Sequence, residues 1–223
     1  WGCTALGGLS LPAGLQTIGK DCFQGCRALA SFDLSHTRVT TIDNGAFQMC
    51  EGLRSIQLPM GLENVLTLSF QRCAALERID LSKTKVVSLG GGAFSQCTSL
   101  IEILLPPSVG SIGWMAFGGC SSLPSIDLKH TRVVDLTKEA FKDCTSLVTI
   151  SFPPSLIAIG QDAFSGCDSL SEDAQRAIAE VAKRRKYNPA ANLVDAPALG
   201  ASLPSLSVGL PPLARPNPSS ETA

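Results

Sequence analysis

Histidine is nearly missing from this chain. It has two in 223 residues, His36 and His130. Counted along the sequence they stand 94 residues apart, and Lys83 lies midway at the equivalent place. A slot that takes histidine or lysine asks for a polar cation, not a metal ligand or a general base. With so little histidine, Ser-His-Asp and Cys-His machinery have no second set to draw on. Charge of one sign is missing too: 18 Lys and Arg balance 19 Asp and Glu, a net charge of −1. That excludes bulk attraction to nucleic acid or to an anionic membrane. No apolar run approaches the roughly 18 residues that read as a transmembrane helix. There is no G-x-x-x-x-G-K-[ST], and Gly90-Gly91-Gly92 has no lysine placed for phosphate, so it reads as a turn. Nine cysteines are present, yet no C-x-x-C. Catalysis, a bound metal and a cofactor are therefore not expected.

What is present is repetition. Phenylalanine falls at Phe23, Phe47, Phe70, Phe94, Phe117, Phe141 and Phe164, in alternating steps of 24 and 23 residues. Cysteine follows three residues later each time, from Cys26 to Cys167, and Cys3 keeps the same beat. Leucine comes three after each cysteine, and apolar residues recur six and eight after it, as in Ile56 and Leu58. Further apolar columns sit eleven and eight before it, as in Val109 and Ile112. The unit is thus a 47-residue pair of unlike repeats. A period in this range marks a solenoid, whose single coil cannot bury its apolar side but whose stack forms a continuous core. Apolar alternation after the cysteine predicts one short strand per coil, such as Ser55-Ile56-Gln57-Leu58. At about 4.8 Å per strand, seven coils make a rod roughly 35 Å long.

The cysteine column is flanked by apolar columns and reads as a stack of small buried hydrophobes. Disulfides along a stack would distort the coils. Cys22 stands where alanine usually precedes the phenylalanine, and it too is expected to be buried.

The line L-P-x-x-L-x-x-I-G-x-x-x-F-x-x-C-x-x-L runs from Leu11 to Leu29, with close copies over Leu105–Leu123 and Phe152–Leu170. It resembles the BspA-like (Treponema-type) leucine-rich repeat family over about three quarters of the chain. The resemblance implies a curved parallel sheet with loops and short helical turns on the outer side. It also implies a surface or adhesion role, with a protein or glycan as partner; a cytoplasmic location is the other reading. Alternate coils depart from the line, replacing L-P-x-x-L by segments such as Ser35-His36-Thr37-Arg38-Val39.

The fold expected is therefore a leucine-rich-repeat solenoid over 1–170. A capping helix follows over 171–187, introduced by a Ser169-x-x-Glu172 capping box and closed by Lys183-Arg184-Arg185-Lys186. Residues 188–223 hold seven prolines and few charges, and read as a disordered tail or linker. The chain opens on Trp1 in mid-coil, which reads as a fragment or a processed product, and a monomer is expected. Function is expected to be non-catalytic recognition: a surface binding module, an intracellular scaffold, or the recognition arm of a larger protein.

Two surfaces are candidates. On the expected concave face, the outward positions of the middle coils bring together Arg54, Glu77, Arg78, Ile101, Glu102 and Leu104. Arginine beside exposed apolar area suits protein recognition. In the alternate coils, His36, Arg38, Lys83, Lys85, His130 and Arg132 recur every 47 residues and form a basic strip suited to sulfate, phosphate or carboxylate groups. Trp114 is expected on the outer side.

Overall fold

A computed structural model describes residues 2, 3, 6, 9 and 11–187. Thirteen strands, β1 to β13 in chain order, alternate between two kinds. The odd ones have two residues: β1 (Thr17–Ile18), β3 (Thr41–Ile42), β5 (Asn64–Val65), β7 (Ser88–Leu89), β9 (Ser111–Ile112), β11 (Asp135–Leu136) and β13 (Ala158–Ile159). The even ones have three: β2 (Ser31–Asp33), β4 (Ser55–Gln57), β6 (Arg78–Asp80), β8 (Glu102–Leu104), β10 (Ser125–Asp127) and β12 (Thr149–Ser151). All pairings are parallel and join each coil to the next.

The expectation of one strand per coil needs correcting. The continuous sheet, seven strands wide, is built from the odd strands, in the apolar column eight residues before the cysteine. The even strands, where apolar alternation predicted the sheet, form three separate pairs: β2 with β4, β6 with β8, and β10 with β12. In each pair the first coil sends a leucine N–H forward: Leu34 to Gln57 O, Leu81 to Leu104 O and Leu128 to Ser151 O, all at 2.8 Å. The ladder stops after Gln57 and after Leu104, each two residues ahead of a proline, Pro59 or Pro106. A proline ring restricts the residue before it and offers no N–H of its own.

The core is the set of columns read from the sequence. Phe47, Phe70, Phe94, Phe117 and Phe141 are fully buried. From Phe23 to Phe164 the rings stack at centroid spacings of 5.1 to 5.7 Å with planes within 12°. Phe32 adds an edge contact to both Phe23 and Phe47. Each coil's apolar side is thus covered by its neighbours' copies of the same residues, and burial of this kind dominates the stability.

The outer side holds loops and turns, as the resemblance implies. Two residues per coil take a left-handed backbone, five and one before the cysteine; in one coil they are Leu68 and Arg72, with φ of 57° and 59°. This alternation aims every second N–H at the next coil: Leu68 to Gly91 O, Phe70 to Ala93 O and Arg72 to Ser95 O, at 2.8 to 2.9 Å. The N–H groups between them fold back three residues, as from Gln71 to Leu68 O. A left-handed non-glycine residue costs about 1–2 kcal/mol. Each bond gained returns about 0.5–1.5 kcal/mol and leaves no buried N–H orphaned. The coils also approach closely at the I-G step. A Cβ on Gly113 would lie 2.6 Å from Gly91 N, a distance that real side chains do not reach.

The chain then leaves the solenoid through helix α1 (Glu172–Tyr187), which packs on β13 and β12 through a face that buries Ala174 and Val181. Its N-cap is Ser171, not Ser169. Ser171 Oγ accepts from Ala174 N at 3.2 Å, and Ser171 O accepts from Gln175 N at 2.9 Å. Glu172 and Asp173 suit the positive end of the helix dipole. The side chains of Arg184, Arg185 and Lys186 and the proline-rich segment 188–223 lie outside the described residues.

Candidate functional site

The even strands alternate outward, inward, outward, so each presents two side chains to solvent and one to the core. Register then decides which outward residues meet. In the β6–β8 pair Arg78 stands opposite Glu102, and Asp80 opposite Leu104. Arg78 Nη1 donates to Glu102 Oε2 across the pair. Both side chains are about half exposed, so the ion pair contributes at most about 1 kcal/mol to stability. Beside it, Ile101 is 39% and Leu104 44% exposed, and Val148, in the column of Ile101 two coils further on, is exposed to a similar degree.

A depression of about 230 Å³ opens here, lined by Arg78, Ile101, Glu102, Ile103, Leu104, Ser125 and Asp127. Four of the six residues singled out on this face are brought together. Arg54, on the preceding coil, and Glu77, next to Arg78, are exposed but do not line the depression. Glu77 contributes its backbone, its carbonyl accepting from Ile101 N at 2.9 Å. Ser125 and Asp127 complete the lining. They occupy the same outward columns one coil further on, which is the signal in the sequence that points to them.

The basic strip lies elsewhere on the coils. His36, Arg38, Lys83, Lys85, His130 and Arg132 are all exposed. The carboxylates near them are committed to turns. Asp33 Oδ1 accepts from Ser35 N, Asp80 Oδ1 from Ser82 N and Asp127 Oδ1 from Lys129 N, at 2.8 to 2.9 Å. Hydrogen bonding from Ser35 and Ser82, the side chain foremost and the backbone N–H with it, holds the Asp33 and Asp80 carboxyls below the usual range, with His36 and Lys83 adding a little. Thr37, Thr84 and Thr131 close the same turns, each Oγ1 donating to the leucine carbonyl three residues back at 2.7 Å. His36 also has a structural bond, Nε2 lying 3.1 Å from Leu11 O. Among the described residues none of the six cations has a carboxylate partner in an ion pair.

The cysteines do more than fill space. Six thiols donate to the phenylalanine carbonyl of the coil before, from Cys50 Sγ to Phe23 O through Cys167 Sγ to Phe141 O, at 3.0 to 3.2 Å. Burial pushes the thiols of Cys50 and Cys120 up to about 12, and those of Cys73 and Cys97 well above the ordinary value. A protonated, buried thiol is not a nucleophile. Cys22 departs from expectation: it is exposed. Trp114 is half exposed in an outer turn, and its carbonyl accepts from Gly92 N at 2.7 Å. Among the described residues no cluster of His, Cys, Asp and Glu is placed to hold a metal, and no helix is long and apolar enough to cross a membrane.

The BspA type leucine rich repeat region matches residues 1–85 and 69–178, in six copies. The chain belongs to this family. A leucine-rich repeat protein of Treponema pallidum is similar in structure at 30% identity, with a TM-score of 0.70 over 77% of this chain and 81% of that one. A leucine-rich repeat protein of Bacteroides ovatus is similar at 27% identity, with a TM-score of 0.52 over 68% of this chain and 45% of that one. No curated protein sequence matches. Leucine-rich repeat proteins are in general non-catalytic scaffolds, and a binding module is the class of function consistent with this family.

Proposed function

We propose that this leucine-rich repeat chain is a non-catalytic recognition module that takes a protein partner on its even-strand face, at the depression between Arg78 and Asp127. The observation that carries this is the depression itself. An ion pair held in register across β6 and β8 stands beside two exposed apolar side chains, Ile101 and Leu104. Interface centres combine arginine and apolar residues in this way, inside a polar rim that excludes water. A glycan would find the same Arg78, Glu102 and Asp127 as hydrogen-bonding groups, but no aromatic ring lies in the lining on which a sugar could stack. Arg54 on the preceding coil and Glu77 beside Arg78 extend the surface. The solenoid over 1–170 supplies the rigid frame, with the helix over 171–187 closing its last coil. A surface or adhesion setting rests on the family alone.

The test is Leu104→Arg against wild type, screened on a panel of immobilised extracellular proteins and glycans. Leu104 is outward on its strand, so the variant keeps its circular dichroism and melting temperature. Binding to the wild type's partner is expected to fall about thirtyfold or more, the loss typical of a central contact residue worth about 2 kcal/mol or more. Equal binding by the variant refutes the assignment of this face.

A further inference from the structure

We infer that a second face, formed by Lys85, Val87, Gly110, Arg132, Val134 and Ile157, binds an acidic polypeptide segment that carries apolar side chains. The face begins in the alternate coils. In Lys85-Val86-Val87 the middle valine is buried and the outer two residues are exposed; Arg132-Val133-Val134 repeats this. Each such coil therefore places a cation and an apolar side chain two residues apart on one side of the chain. Val87 is 52% exposed and Val134 44%, with Ile157 continuing the row in the next coil. Backbone bonds hold the row in register: Gly110 N donates to Val87 O and Ile157 N to Val134 O, both at 2.8 Å. Gly110 falls between the two valines, and a Cβ there would have only Val87 O within reach, at 3.9 Å. The row thus has a notch at its centre.

Charge decides the sign of the partner. Among the described residues Lys85 and Arg132 have no carboxylate partner in an ion pair, and the aspartates of their own coils, Asp80 and Asp127, are occupied by turn N–H groups. Glu63 precedes Val87 in the row, with Val87 N donating to Glu63 O, and marks its acidic end; Asp135 follows Val134 in the chain and is partly buried. Spacing favours a polypeptide. Lys85 and Arg132 are two coils apart, roughly 10 Å. One turn of a polyproline II segment advances about 9.3 Å, so an acidic residue at every third position meets both cations, and the intervening apolar residue meets the valines. A sulfated polysaccharide would satisfy the cations but leave the valine row uncovered.

The probe is a fluorescein-labelled peptide of repeated Leu-Pro-Glu units, titrated with the full chain at low salt and followed by anisotropy. Saturable binding is expected, weakening by about tenfold or more when the peptide's glutamate is replaced by glutamine or its leucine by serine. Lys85→Glu with Arg132→Glu, and separately Val87→Ser with Val134→Ser, are each expected to weaken binding by about tenfold. All four side chains are exposed, so these variants keep the wild-type melting curve. Leu104→Arg is expected to bind the peptide as wild type does, which separates this face from the even-strand face. No saturable binding by wild type overturns the inference, and so does equal loss on Leu104→Arg. Heparin binding that falls in the charge-reversed variant but not in the valine variant also overturns it, since the ligand would then be a polyanion recognised by charge alone.

Discussion

Phe94 sits at the middle of the phenylalanine stack, and truncating it tests whether the coils stand or fall by their neighbours. The ring is fully buried and stacked on both sides, 5.3 Å from Phe70 and 5.7 Å from Phe117. An aromatic side chain buries roughly 200 Å², and at about 25 cal/mol per Å² this is about 5 kcal/mol. Measured Phe→Ala costs of about 3–5 kcal/mol include partial collapse of the cavity. Phe164, by contrast, is only partly buried and has one stacked neighbour, Phe141 at 5.4 Å. Its truncation should cost about half as much. Urea unfolding followed by far-ultraviolet circular dichroism gives both values. In a solenoid the two losses also differ in kind. A break at Phe94 should split the transition into two, with Trp114 fluorescence and circular dichroism no longer coincident. A break at Phe164 should leave one transition. Equal costs, or a single coincident transition for Phe94→Ala, would refute the view that stability here is a sum of coil-to-coil contacts.

Three further outcomes are expected. In the native protein, thiol labelling read by peptide mass mapping should modify Cys3 and Cys22, while the seven buried cysteines from Cys26 to Cys167 react only after unfolding. Because its carboxyl is held low by the Ser82 bonds, Asp80 contributes stability that is complete above the unfolded value of 3.8 and is lost as pH falls through the lower folded value. Asp80→Asn should therefore flatten the acid limb of the pH–stability curve and leave the neutral limb's slope unchanged. Gly113→Ala, which forces a Cβ against the Gly91 backbone, should cost about 1–3 kcal/mol in urea unfolding, whereas Gly61→Ala, with open space around it, should change little.

The columns that make the core were legible because burial acts on side-chain type, and a register held over many coils leaves little room for another reading. Phe47 to Phe141 and Cys50 to Cys144 fall where the spacing put them. Backbone conformation was less legible. A two-residue strand such as Ser88–Leu89 is too short to show alternation, so the wider sheet had no signature of its own. Some left-handed positions are marked by glycine, as at Gly45, Gly92 and Gly119, but others hold Met49, Leu68 and Arg72. There the bond to the next coil sets φ, and the side chain does not advertise it. Cys22 is exposed where its column predicts burial, and its residue type carries no mark of the difference. At the candidate site, Arg78, Ile101, Glu102 and Leu104 were found from outward positions alone. Their gathering into one depression, and the exclusion of Arg54 and Glu77 from it, depends on a register that only the folded pair reveals.

The pairing of even strands in twos has a bearing on how such a chain can change length. Loss of 47 residues, one forward-bonding coil together with the proline-bearing coil it reaches, would bring like surfaces together and leave every seam of the same type as before. Loss of a single coil would set two proline-bearing coils, or two forward-bonding ones, side by side, a junction that occurs nowhere among the described residues. Duplication and deletion in this lineage should therefore be tolerated in doublets and selected against in singlets. A shift by one doublet would move the Arg78–Glu102 face and the Lys85–Val87 face along the rod together, so the two surfaces are inherited as a set.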